Sequence, residues 1–296
     1  MNQNEQPVQG AEHGVTHGEV RLFLWEKFQG SAEGKPVVVL AHGSATGGRE
    51  SFDLQVPGVP GTSLMDFLAQ AGFDVFALDA RGFGRSTRPE EGVSTEQAAE
   101  DLNAVVDHVL ALRGVSQVHL LGWSWGTQYG GQFLMQHGHK VARYVSYAQQ
   151  HPESPDLAAR RHRLPTFQRA PYLRITEQGW KLRFDSMTPP EVNDPRIVDT
   201  FARAAAEVET KSPTGPHVDL LMRQPLIDAA RMPVPTLMIH GQYDDVSDLA
   251  GLLPFFAAVP NPDKQYTVIP AGGHMLHLQQ GRGAFQRAVG AWFARG

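Results

Sequence analysis

Apolar and polar positions along this chain switch between two periods. Residues 36–41 and, Asp74 apart, 73–78 are apolar runs, the pattern of strands covered on both faces. Between them, residues 63–70 have helical spacing, and Gly72 is placed to stop that helix. The clearest helix is predicted over 94–113. Ser94 and Gln97 make a capping box, Leu102, Val105, Val106, Val109 and Leu110 make one stripe, and Gly114 ends it. Residues 118–123, 142–148, 236–241 and 266–270 read as further strands, and an amphipathic helix near 285–294 closes the chain. Residues 19–28 alternate and are expected as an edge strand or hairpin before the main sheet. Strands alternating with helices predict an α/β fold with a mostly parallel sheet flanked by helices.

The alternation is broken at both a terminus and the middle. Residues 1–17 are polar and are expected as a flexible N-terminal tail. About 80 residues separate the strand at 142–148 from the next convincing one at 236, far more than a loop in a compact domain needs. This stretch contains prolines, aromatic and aliphatic residues, and helical pieces such as 197–209, a composition unlike a disordered linker. The expected organisation is a core of 18–150 and 232–296 with an inserted helical unit at 151–231.

Chemistry enters where the strand at 118–123 ends. Gly122-Trp123-Ser124-Trp125-Gly126 is a Gly-x-Ser-x-Gly sequence between a strand and a helix, the setting of a nucleophile elbow. A serine hydroxyl needs a base and an exposed position to attack, and small residues two before and two after it let neighbouring backbone pass close by. Asp244 lies just beyond the strand at 236–241, and His274 lies on a loop beyond the strand at 266–270. The order Ser124, Asp244, His274 is the one a serine, acid and base take in an α/β-hydrolase. Asp245 and Asp248 are neighbouring acids, and an acid after the preceding strand would bring in Glu153 or Asp156. An oxyanion needs at least two fixed donors. The backbone N–H of Trp125 at the helix start is one candidate, and that of Ser44, with Ala45 as alternative, is the other.

Four motifs together make the chain resemble the α/β-hydrolase superfamily from about Gly18 onward. They are His42-Gly43-Ser44, Asp79-Ala80-Arg81-Gly82-Phe83-Gly84-Arg85-Ser86, Gly122-Trp123-Ser124-Trp125-Gly126, and Gly241-Gln242-Tyr243-Asp244 with Gly273-His274. Serine at 124 sets the chain apart from the branches that use an aspartate nucleophile. The resemblance implies a capped serine hydrolase, with 151–231 as the cap over the site, His42 supporting its loop and residues 79–86 folding a tight loop beside the site. Cleavage of an ester-type bond in a small molecule through an acyl-enzyme is the expected activity. Carbon–carbon bond hydrolysis of the meta-cleavage-product type, lactonase or perhydrolase chemistry are alternatives on the same fold, and a hydrolase-fold binding protein with little turnover is the alternative of a different class.

Composition narrows the partners. The chain has 296 residues, no cysteine and a formal net charge of -5, which excludes disulfides, thiolate metal sites and a cysteine nucleophile and leaves no basic face for nucleic acid. Gly43, Gly47 and Gly48 look like a phosphate cradle but lack the Gly-Lys-Ser/Thr ending of a P-loop, so no nucleotide, other cofactor or metal is expected. No secretory signal is visible in 1–16 and no run approaches the ~18 apolar residues of a membrane span. A cytoplasmic protein without a membrane partner is expected. Trp123 and Trp125 flank the serine, and packing is the expected role of both, with pocket lining by Trp125 as the alternative. Arg160, Arg161, Arg163, Arg169 and Arg174 form a basic cluster, read as a solvated face from which one arginine can meet a substrate carboxylate.

Overall fold

The computed structural model describes residues 6–44, 46–185 and 188–295. Eight strands form one sheet in the order β1 (Val8–His17), β2 (Val20–Gln29), β4 (Asp74–Asp79), β3 (Val37–Ala41), β5 (Val118–Trp123), β6 (Val141–Tyr147), β9 (Thr236–Gly241) and β10 (Lys264–Ile269). β1/β2 and β2/β4 pair antiparallel, and every pair from β4 to β10 is parallel. The fold is thus α/β. Every residue of β3, β4 and β9 is buried, as their largely apolar sequences require when helices cover both faces.

Helices α1 (Gly48–Phe52), α2 (Leu64–Gln70), α3 (Thr95–Arg113), α4 (Trp125–His137), α10 (Leu249–Ala258) and α11 (Arg282–Phe293) flank the sheet. The caps read from sequence are formed: Ser94 and Gln97 close a full capping box on α3, and Gly114 stops it at φ 63°. Two apolar clusters, one on each face, share the sheet between them.

Residues 8–17 correct the expectation of a flexible tail. They form β1, paired along its whole length with β2 from Val8↔Gln29 to His17↔Val20. In β1 only Val15 is buried, so an apolar pattern was not there to be seen. Backbone pairing holds it instead, helped by His13 on Glu26 at 2.7 Å and His17 on Asp101 at 2.8 Å. β2 is consequently an inner strand rather than an edge.

Between β6 and β9 the chain leaves the sheet. It forms α5 (Pro155–Arg160), α6 (Leu164–Phe167), α7 (Glu177–Asp185), α8 (Pro195–Val208) and α9 (Gly215–Met222), with a two-stranded ribbon of β7 (Tyr172–Arg174) and β8 (Lys211–Pro213). Trp180, Phe184, Ile197, Val198 and Phe201 carry the apolar cluster of the core up into α7 and α8. The inserted helices therefore sit on the sheet's carboxyl end, where α/β sheets gather their functional loops.

Candidate active site

Four loops meet at the carboxyl ends of parallel strands: Ser44 follows β3, Ser124 follows β5, Asp244 follows β9 and His274 follows β10. Ser124 is held at φ 55°, ψ -117°, a conformation that costs a non-glycine residue on the order of 1–3 kcal/mol. Its N–H donates to the Tyr147 carbonyl at 2.9 Å, and its own carbonyl accepts from the Thr127 hydroxyl at 2.6 Å. The two glycines of the motif are steric necessities. A Cβ on Gly122 would lie 2.5 Å from the Gly126 oxygen, and one on Gly126 only 2.2 Å from the Ala41 oxygen. Gly126→Ala is expected to cost ~1–3 kcal/mol through forced separation of the elbow from β3. Urea denaturation checks this, and an unchanged midpoint would contradict the packing.

His274 Nε2 lies 2.9 Å from Ser124 Oγ, and its Nδ1 lies 3.1 Å and 3.3 Å from the two oxygens of Asp244. All three residues are buried. Asp244 also accepts from the backbone N–H groups of Val246 and Ser247, at 2.9 and 3.2 Å, which fix its carboxylate. The His274 carbonyl accepts from Trp123 Nε1 and from the Tyr147 hydroxyl, each at 3.1 Å, so the loop bearing the imidazole is tied to the ends of β5, which leads into the elbow, and of its neighbour β6.

The matching family model is that of the alpha/beta hydrolase fold, and it spans residues 36–280. The chain belongs to this family. Among curated relatives, a Klebsiella pneumoniae 2-hydroxy-6-oxononadienedioate/2-hydroxy-6-oxononatrienedioate hydrolase is 31% identical over 116 residues, covering 38% of this chain and 36% of that protein. Mouse lipase member M is 30% identical over 148 residues, covering 45% of this chain and 32% of that protein. The chain thus spans about a third of the length of the curated relatives it matches. A solved hydrolase from Pseudomonas aeruginosa PA01 superposes with a TM-score of 0.73 at 20% identity, covering 96% of this chain and 98% of that one.

Within this alpha/beta hydrolase fold, none of the other candidate acids bonds the imidazole among the described residues. Asp245 is exposed, with its carboxyl pushed up chiefly by desolvation, and it makes no hydrogen bond to His274 among the described residues. Glu153 is exposed, and Asp156 is paired with Arg160. Asp248 caps α10 and accepts from His151. Ser44 lines one cavity with Gly43, Ser124 and His274, and Trp125 opens α4, so its N–H belongs to the first-turn donors that lack an intrahelical acceptor. Ala45 lies outside the described residues.

The alternative of Trp125 lining the pocket is corrected. Its ring is fully buried below the elbow, bonded through Nε1 to Thr95 Oγ1 at 3.0 Å and packed on Tyr129 and Phe83. Trp123 lines the cavity instead. His42 is fully buried, its basicity lowered to about 4 by desolvation, and its neutral ring accepts from the Ala80 N–H at 3.0 Å. His277 sits in a 3-10 turn rather than on the following helix, packed on Trp123 and Tyr147 with its basicity lowered to about 3 by burial.

None of the five arginines expected to form a basic face lines the cavity; Arg161, Arg163, Arg169 and Arg174 are exposed, and Arg160 is engaged with Asp156. The arginine that does is Arg183, together with Trp180, Phe184, Phe201 and Met275. Positions 180, 183 and 184 share one face of α7, a spacing legible in the sequence once the helix is known. Among the described residues no group of three or more His, Asp or Glu side chains could hold a metal ion, and no helix is long and apolar enough to cross a membrane.

Proposed function

We propose that this alpha/beta hydrolase is a serine esterase-type enzyme, cleaving a small organic ester through an acyl-enzyme. The observation that carries the reading is the continuous chain from Asp244 through both nitrogens of His274 to the Ser124 hydroxyl at 2.9 Å. His274 Nε2 takes the hydroxyl proton as Oγ bonds to the carbonyl carbon, and the carbonyl π pair moves onto oxygen. The backbone N–H groups of Ser44 and Trp125 receive that oxyanion. Collapse expels the alcohol, which leaves with the proton from His274, and water then repeats the sequence on the acyl-enzyme. Asp244 keeps Nδ1–H oriented and stabilises the imidazolium. A binding protein without turnover has no need of all three groups in this order.

The cavity favours a substrate that is flat or apolar near the reacting carbonyl and anionic further out. Trp123, Trp180, Phe184 and Phe201 supply the apolar wall. Arg183 supplies a cation whose acidity is raised, to about 10, first by desolvation and then by Arg160 and Arg163. Trp180 Nε1–H is buried with no hydrogen-bond partner among the described residues, which suits it to donate to an anionic group. The same chemistry supports the carbon–carbon hydrolase alternative, since the Klebsiella relative is named for a dioate substrate.

Fluorophosphonate labelling tests the first reading: stoichiometric, covalent modification of the wild-type enzyme is expected, and an enzyme that stays unlabelled is not a serine hydrolase. For the anionic group, Arg183→Met is expected to raise KM for a monoester of a dicarboxylic acid roughly tenfold or more, at little change for a neutral ester of the same size. Equal effects on both esters would remove Arg183 from substrate recognition.

A further inference from the structure

One buried acid has no part in the proposed chemistry. Glu209 follows α8 in the inserted segment, yet its carboxylate is turned into the core and is wholly buried. Oε1 accepts from the backbone N–H of Gly47, at 3.1 Å, and from that of Gly84. Oε2 accepts from Arg88 at 2.8 Å, and Arg88 donates in turn to the carbonyls of Gly82, Gly84, Val208 and Lys211. One carboxylate thus joins three segments far apart in sequence: the end of α8, the loop after β3 and the loop after β4.

The loop after β3 is the one that carries Ser44. At its start it is fixed by His42, whose carbonyl accepts from the Tyr129 hydroxyl at 3.0 Å. At its end Gly47 donates to Glu209, and Gly48 donates to Asp79 Oδ1 at 2.7 Å. Glycine is required at both donors. A Cβ on Gly47 would fall 2.5 Å from Asp79 Oδ1, and one on Gly48 would fall 2.4 Å from the Leu78 oxygen. Burial pushes the Glu50 carboxyl up to about 7, with the charge of Asp79 adding to it, and pushes the Asp79 carboxyl up to about 6, with the charge of Glu209 adding to it, so the loop rests on a tight cluster of buried carboxyls. Phe201, on the same helix α8, forms part of the cavity wall.

We propose that Glu209 is a positioning residue: it clasps the cap helix α8 to the oxyanion loop, so that the Ser44 N–H is held at the site only while the cap is seated. The inference rests on the serine-hydrolase reading. Glu209 touches no reacting atom and acts through the backbone of Gly47. Removing its oxygens leaves the Gly47 N–H buried without an acceptor, and the loop relieves that loss by moving. A shift of about 1 Å in a donor aimed at the oxyanion costs on the order of 10²-fold in rate.

The test uses p-nitrophenyl butyrate turnover, normalised to active sites titrated with a fluorophosphonate, on the full chain. Glu209→Ala is expected to lower kcat per titrated site about 100-fold with KM within about twofold, because the loss falls on the transition state. Glu209→Gln keeps one oxygen for Gly47 and Gly84 and is expected to recover most of this, leaving a deficit of about tenfold. Affinity for an alkyl trifluoromethyl ketone, whose hemiketal oxyanion needs the same donors, falls by the same factors. The exposed neighbour Glu207→Gln leaves all three quantities unchanged. A merely structural tie would instead lower the melting temperature and the titratable fraction while kcat per site stayed at the wild-type value, and that result overturns the proposal. Should Glu209→Ala fail to fold, the glutamine variant decides alone, since wild-type kcat per site in it is equally fatal. A wild-type enzyme with no titratable site would overturn the nucleophile assignment first, and the positioning role with it.

Discussion

Ser124→Ala is expected to lower kcat by about 10⁴-fold or more and to abolish fluorophosphonate labelling. Alanine offers no oxygen to bond the carbonyl carbon, so the acyl-enzyme of the proposed mechanism cannot form. What survives is rate due to binding and the oxyanion donors, which depend on backbone N–H groups and not on the serine side chain. The fold should be unaffected, because Ser124 is fixed by its backbone bonds to Tyr147 and Thr127 rather than by its hydroxyl. The measurement is kcat on a p-nitrophenyl ester together with the melting temperature. A variant that keeps more than a tenth of the activity with an intact fold would show that another group attacks.

Asp244→Asn is expected to lose on the order of 10³ to 10⁴ in kcat, and Asp245→Asn less than about tenfold. The reason is one of tautomers. Asparagine Oδ1 can still accept from the Val246 and Ser247 N–H groups, both of which bond Oδ1 of the aspartate. Its amide NH₂ then faces His274 Nδ1 and turns that nitrogen into an acceptor. The ring proton moves to Nε2, and the nitrogen 2.9 Å from Ser124 Oγ can no longer take a proton. Asp245 acts on His274 only through its charge. Kinetics of the two single variants on one ester separate the assignments, and the reverse ranking would transfer the acid to Asp245.

Much of the architecture was legible because the signals were local. The β3 run is apolar throughout, β4 is apolar between Asp74 and Asp79, β9 is apolar from Leu237 to Ile239, and α3 carries its own capping box and terminal glycine, so period and caps alone place them. Strand β1 was not legible: Val15 is its single buried residue, and its existence depends on a partner strand rather than on its own pattern. The short helix α1 and helix α10 were missed for related reasons, the first having a single turn with three of its five residues polar beside glycine, the second lying apolar on nearly every position so that no stripe stands out.

At the site the division follows the same physics. The sequence by itself pointed to the elbow, since a serine between a strand and a helix with glycine two residues before and two after it is the pattern that lets neighbouring backbone pass close by, and it determined the chain order of Ser124, Asp244 and His274. Choosing Asp244 over Asp245 required the tertiary structure, because adjacent residues in a turn point in different directions and only one carboxylate meets the His274 ring. Only the tertiary structure placed Trp123 at the cavity and Trp125 beneath it, and brought Trp180, Arg183 and Phe201 from the inserted helices to face Ser124. Glu209 is the extreme case. It stands 162 positions from the Gly47 N–H it accepts from, and no period, cap or motif in the chain announces a bond whose partners are joined only by folding.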